Sequence, residues 1–149
     1  MVLAGFAAFT APFAAPAQML PPFPSPEVAE IAACLCLKQA VDAFGADASA
    51  RRQSYDGLQE ELAQVDVRMQ RERATMNVDD PQSGARFRQL LERRDALFRR
   101  ASGPAVAELA SSIERYNSSV SEFNVRCANR PRDPGLLAAV QATLSCPPF

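Results

Sequence analysis

Cysteine and arginine are the residue types here with chemistry to offer. The chain holds four cysteines, fifteen arginines and no histidine. Cys34 and Cys36 stand two apart near the start; Cys127 and Cys146 lie near the end. Such thiols could bind zinc or copper(I), cycle as a redox couple, or close structural bridges. Structural metal sites usually show tighter paired spacings than these four cysteines, and no histidine or methionine cluster assists them. Residues two apart on a helix point away from one another, so Cys34 and Cys36 are not expected to bond each other. The predicted bridges are Cys34–Cys127 and Cys36–Cys146.

Catalysis has little to stand on. Without histidine, the commonest general base, triad member and metal ligand is absent. The carboxylate pairs Glu60-Glu61 and Asp79-Asp80 fall on an exposed helix face and in a turn, with no pocket implied around them. Ser111-Ser112 and Ser118-Ser119 are expected to flank a buried seam and face water. Asn117-Ser118-Ser119 matches a glycosylation sequon, but in mid-helix. We therefore expect no catalytic, cofactor-binding or metal-binding residues, and a protein that is not an enzyme.

Arginine clusters between residues 86 and 100, interleaved with large apolar side chains. Arg86, Phe87, Leu90, Arg93, Arg94, Leu97 and Arg100 form the candidate partner-binding set, with Arg68, Arg71 and Arg73 opposite. One reading makes these arginines a solvated face paired with Asp66 and Glu72. The other makes them a docking surface for a protein partner or a second copy, since arginine and large apolar groups are enriched at interfaces. With a net charge of −1, no global field recruits nucleic acid. Weak contact with an anionic membrane surface is compatible with a basic amphipathic face.

These residues must be positioned by helices. An apolar ladder runs Cys34, Leu37, Val41, Phe44, Ala48, Tyr55, Leu58, Leu62, Val65, Met69 and Met76, with steps of three and four. Arg51 and Glu72 occupy the two rungs that are not apolar. That period marks a helix buried along one narrow stripe. Ser25-Pro26-Glu27 reads as its start, with serine at the cap and proline at the first position. The first helix is predicted over 26–77, interrupted only by Gly45 and Gly57.

Asp80-Pro81 repeats the start signal, and a second helix is predicted over 81–128. Its stripe reads Phe87, Leu91, Phe98, Ala101, Ala105 and Leu109, then Val106, Leu109, Ile113, Tyr116, Val120, Phe123 and Cys127. Leu90 and Leu97 fall outside it. Two successive four-residue steps from Ala101 to Leu109 form a stutter, coinciding with Gly103-Pro104, where a kink or short break is expected. If residue 79 is the centre of the turn, facing residues sum to about 158, so Val41 meets Tyr116, Phe44 meets Ile113 and Leu37 meets Val120. Asp133-Pro134 opens a third helix over 134–144, too short to be stable alone and predicted to pack at the hairpin base. The predicted fold is all-α: a long antiparallel two-helix coiled-coil hairpin with a short C-terminal helix, stapled by disulfides.

Residues 1–17 carry no charge and end in Ala15-Pro16-Ala17, a small-x-small triplet that resembles a signal-peptidase site. A basic n-region is missing. A proline-rich linker follows over 18–25, then a single domain over 26–149. Ile31-Ala32-Ala33-Cys34 resembles a lipobox, but the prolines and glutamates before it interrupt the apolar run that lipidation needs. An export signal and four cysteines in a small chain both point to an oxidising compartment, periplasmic or extracellular. The expected function is non-catalytic: an envelope scaffold or adaptor that binds another protein. The alternatives are a holdase-like chaperone using the arginine- and methionine-bearing tip, and a cysteine-based metal carrier or redox protein.

Overall fold

The structure, a computed structural model, describes residues 24–149. The segment 1–17 and most of the linker lie outside the described residues. Helix α1 spans Pro26–Thr75, 50 residues without interruption. At 1.5 Å per residue it is about 75 Å long. Helix α2 spans Pro81–Arg100, a π-turn covers Ala101–Ala105, and α3 continues over Val106–Arg126. Helix α4 spans Pro134–Thr143. The α2–α3 rod folds back along α1, and α4 packs against α1 at the base. All described regular structure is helical, as the sequence predicts.

Each start signal acts as read. Ser25 Oγ accepts from the Val28 N–H at 3.3 Å. Asp80 caps α2 twice, accepting from Gln82 N–H at 2.9 Å and Ser83 N–H at 3.2 Å. Asp133 Oδ1 accepts from Leu136 N–H at 2.7 Å. Each follows the same logic: a short polar side chain satisfies a donor orphaned at the helix start, and the proline behind it needs none. The observed helices end at Thr75, Arg126 and Thr143, one or two residues inside the predicted ends.

The tip is a tight reversal. Asn77 Oδ1 accepts from Asp79 N–H at 3.0 Å, an Asx-turn that bends the chain, and the Asn77 carbonyl accepts from Asp80 N–H at 3.2 Å. Ser83 is 2 % exposed beneath it and accepts from the Asn77 N–H at 3.3 Å. At the other end, Asn129 takes φ 57°, turning the chain out of α3 toward α4. Asparagine adopts that left-handed conformation more readily than other side chains.

Two features of the second rod refine the sequence reading. The irregularity expected at Gly103-Pro104 is a π-turn and not a break, with helical dihedrals on both sides. A π-turn absorbs one residue more than an α-turn, and the stutter supplies one residue more than a heptad. The wider turn also relieves the proline ring of its clash with the preceding carbonyl.

The second feature is the seam of α2, where the sequence reading is corrected. Along α2 the seam runs through Ser83, Phe87, Leu90, Arg94, Leu97 and Ala101, all buried or half-buried. Leu90 and Leu97 are therefore seam residues, whereas Leu91 and Phe98 are 38 % and 52 % exposed. The sequence stripe followed the largest apolar side chains; the real one passes through a serine, an arginine and an alanine. Val106, also assigned to the seam, is exposed one position past Ala105.

The core is thin. The buried apolar residues of the described chain are Ile31, Cys34, Ala40, Leu58, Val65, Ala101, Leu109 and Val140. Ser112, 1 % exposed, fits the seam because its hydroxyl donates to the Leu109 carbonyl at 2.8 Å. At Gly45 the rods approach closely: a Cβ there would lie 3.2 Å from the Tyr116 ring.

Val65→Asp, which buries an unpaired carboxyl in the seam, should destabilise the fold by about 3 kcal/mol or more, measured by urea denaturation. Deleting Pro104 removes the surplus residue and should leave the melting midpoint unchanged or higher, whereas deleting Ala96 shifts the register on one side and should lower it.

Candidate functional site

Both cysteine pairs are joined as expected. Cys34 bonds Cys127 and Cys36 bonds Cys146, with Cα–Cα distances of 5.6 and 5.4 Å. The first bridge crosses the seam between the two rods; the second ties the segment after α4 to α1. No cysteine is left free, so none offers a thiolate to a metal. Groups of three or more histidine, cysteine or acidic side chains that could hold a metal are absent among the described residues. Arg132 donates to Cys34 Sγ at 3.4 Å, and Arg130 pairs with Glu30 at 2.5 Å beside it. Phe149 folds back to meet Phe44 edge-on, ring centroids 6.2 Å apart.

One flank of the seam carries a ladder of ion pairs between the rods. Arg86 pairs with Glu72 at 3.0 Å, Arg93 with Glu61, Arg51 with Glu108 at 2.5 Å and Arg115 with Asp47 at 2.8 Å. Arg94, half-buried in the seam itself, reaches Asp66 at 2.7 Å. Arg51 and Glu72, the two charged rungs of α1, are thus satisfied across the interface. Asp47 and Glu108 around the Arg51 guanidinium raise its pKa above the ordinary arginine value. These pairs are exposed or half-exposed, so solvent screens them and each adds little to stability. Their larger effect is to disfavour slipped registers, in which like charges would meet.

The opposite flank of the second rod is apolar. Leu91, Phe98 and Val106 each follow a seam position by one residue, and Ile113 and Val120 continue the row toward the base. The step from Phe98 to Val106 is eight residues, and the π-turn keeps them in line. Near the base Ile113 and Val120 are half-buried; toward the tip Leu91, Phe98 and Val106 are exposed. Arg88 and Arg99 accompany this row, exposed and without a carboxylate partner among the described residues.

The structure divides the candidate partner-binding set. Phe87, Leu90 and Leu97 are drawn into the seam, and Arg86, Arg93 and Arg94 are engaged by α1 carboxylates. The pairings with Asp66 and Glu72 are those of the solvated-face reading. Arg100 stands apart, exposed and without such a pair. On the second rod the exposed residues that sequence reasoning placed in the core are Leu91, Phe98 and Val106, and at the tip the ladder rung Met76 is exposed as well. The signal on the second rod was present as a second apolar row beside the first, and only the seam register separates the two.

No protein-family description, no curated protein and no solved structure matches this chain. What the fold and its surface define is a class: a disulfide-closed helical hairpin, of a kind suited to an oxidising environment outside the reducing cytoplasm. No helix among the described residues is long and apolar enough to cross a membrane.

The Cys34–Cys127 bridge spans 93 residues of chain, worth about 4–5 kcal/mol in the chain-entropy model. Cys34→Ser with Cys127→Ser should lower the unfolding free energy from urea denaturation by an amount of that order, with the midpoint falling accordingly. Thiol titration in denaturant should find no free thiol before reduction and four after it.

Proposed function

We propose that this protein is an exported, non-catalytic adaptor that binds another protein in the periplasm or outside the cell through the distal half of its hairpin. The observation that carries this reading is the exposed apolar row Leu91, Phe98 and Val106, kept in line by the π-turn. Three large apolar side chains spaced along one rod offer the anchor pattern by which a helix docks a partner helix. Arg88 and Arg99 alongside supply the charge that interfaces commonly place around apolar anchors. The absence of histidine and the loss of all four thiols to disulfides leave few side chains suited to general-base or nucleophilic work. The charge-free segment 1–17 supports export, and the disulfides support an oxidising destination.

A holdase-like role is the second reading. Met76 and Val78, 38 % and 89 % exposed at the tip, are the observation in its favour, since adaptable apolar surface tolerates varied clients. The two readings separate by partner number and by location on the rod.

Leu91→Ser with Phe98→Ser should leave the helical circular dichroism and melting midpoint nearly unchanged, because both side chains are already exposed. Photo-crosslinking from position 98 in intact cells should give one stoichiometric adduct, lost when Leu91→Ser and Val106→Ser are added. A smear of many adducts from positions 76 and 78, with suppression of aggregation of an unrelated client, would favour holding instead.

A further inference from the structure

The ladder of ion pairs has one incomplete rung, and it lies at the π-turn. Arg93 pairs with Glu61. Two helical turns toward the base, seven residues on along α2 and seven back along α1, the same register sets Arg100 opposite Ser54. Below that rung, Arg51 pairs with Glu108 and Arg115 with Asp47. Arg100 alone among the arginines of this row, Arg86, Arg93, Arg100 and Arg115, has no carboxylate partner among the described residues. Residues 1–23 contain no aspartate or glutamate that could supply one.

The rung is also hollow. A recess of about 180 Å³ opens between the rods there, lined by Arg100, Pro104 and Glu108 on one side and by Arg51, Ser54 and Tyr55 on the other. The π-turn and the proline ring widen the second rod at this level, which is how such turns create sites in otherwise regular helices. Two guanidiniums and the two hydroxyls of Ser54 and Tyr55 are donors around one small space.

We infer that this recess binds a carboxylate, which takes the place of the acid that the ladder lacks opposite Arg100. Arg100 presents the planar fork of donors that matches a carboxylate, and the Ser54 hydroxyl stands on the facing rod. The charge favours a monoanion. Arg51 is already engaged by Asp47 and Glu108, so the site offers one unneutralised positive charge, and the Glu108 carboxylate in the lining disfavours a dianion such as phosphate. The space admits a small organic acid or the side chain of an aspartate or glutamate. This inference is independent of the apolar docking row, which lies on the opposite flank.

The test is a titration of the isotopically labelled, fully oxidised chain with sodium acetate, chloride being withdrawn to hold ionic strength constant. The readout is the Arg100 side-chain Nε–H and Ser54 amide resonances. Saturating shifts are expected, with affinity lowered roughly tenfold or more in Arg100→Gln, the effect of removing a charged hydrogen-bond donor. Ser54→Glu fills the rung from within and should abolish the response with the fold intact by circular dichroism. Arg99→Gln, which removes a neighbouring exposed charge, should leave the affinity unchanged. A second arm uses a glutamate-bearing peptide with blocked termini. Saturation by acetate identifies a free acid as sufficient; saturation by the peptide alone identifies a protein side chain as the source. Shifts that fail to saturate with either probe, that survive Arg100→Gln or Ser54→Glu, or that weaken equally in Arg99→Gln overturn the site.

Discussion

Two long helices laid side by side share a single seam, and a single seam buries little. In this chain Ile31, Cys34, Leu58, Val65, Ala101 and Leu109 are sealed along it, and most other rungs are half-buried. Burial of that kind does not easily hold a rod about 75 Å long against the entropy of its own chain. The Cys34–Cys127 bond changes the problem, because closing the intervening loop lowers the entropy of the unfolded chain before any packing forms. Cys36–Cys146 then makes the region after α4 part of the same closed base, and Val140 is buried there in consequence. The tip is closed by hydrogen bonds instead, through Asn77, Asp80 and Ser83. Fixed at one end by covalent bonds and at the other by a capped turn, the middle needs only enough side-chain complementarity to choose a register.

That choice is made by charge as much as by packing. Of the arginines between 86 and 100 that look like an unpartnered basic patch in the sequence, Arg86, Arg93 and Arg94 are engaged by acids of α1, at Glu72, Glu61 and Asp66. Removing them from the surface ledger leaves a different face available, the apolar row of Leu91, Phe98 and Val106. The flanks of the second rod are therefore unlike each other: one is zipped to α1 by ion pairs, the other is exposed and apolar toward the tip. A helical hairpin with one polar-locked flank and one apolar flank presents a directional surface to any partner.

The π-turn links these features. One extra residue between two heptad tracts would rotate every later side chain by about 100°, and the widened turn takes up that rotation locally. Ala101 and Leu109 thus lie on the same seam, Phe98 and Val106 on the same exposed row, and Arg93 and Glu108 on the same ladder. The local widening also produces the recess beside Arg100. A sequence irregularity that looks like a defect in the helix instead preserves three separate alignments.

Much of this was readable in the residues alone. Ser25-Pro26, Asp80-Pro81 and Asp133-Pro134 determined where helices start, because each cap chemistry is local and needs no neighbours. The apolar period of α1 and the near-equal rod lengths determined the hairpin, and with it the pairing of the cysteines, since an antiparallel fold brings the ends of the chain together. What the residues could not decide was which of two adjacent rows on the second helix faces inward. Leu90–Leu97 and Leu91–Phe98 are equally apolar and one position apart, so local pattern is silent between them. Only the packing of the whole rod, phased by the extra residue at Ala101–Ala105 and held by Arg94–Asp66 and Arg93–Glu61, selects the first row for the seam and leaves the second exposed. Register is a property of two helices together, and one strand of sequence does not contain it.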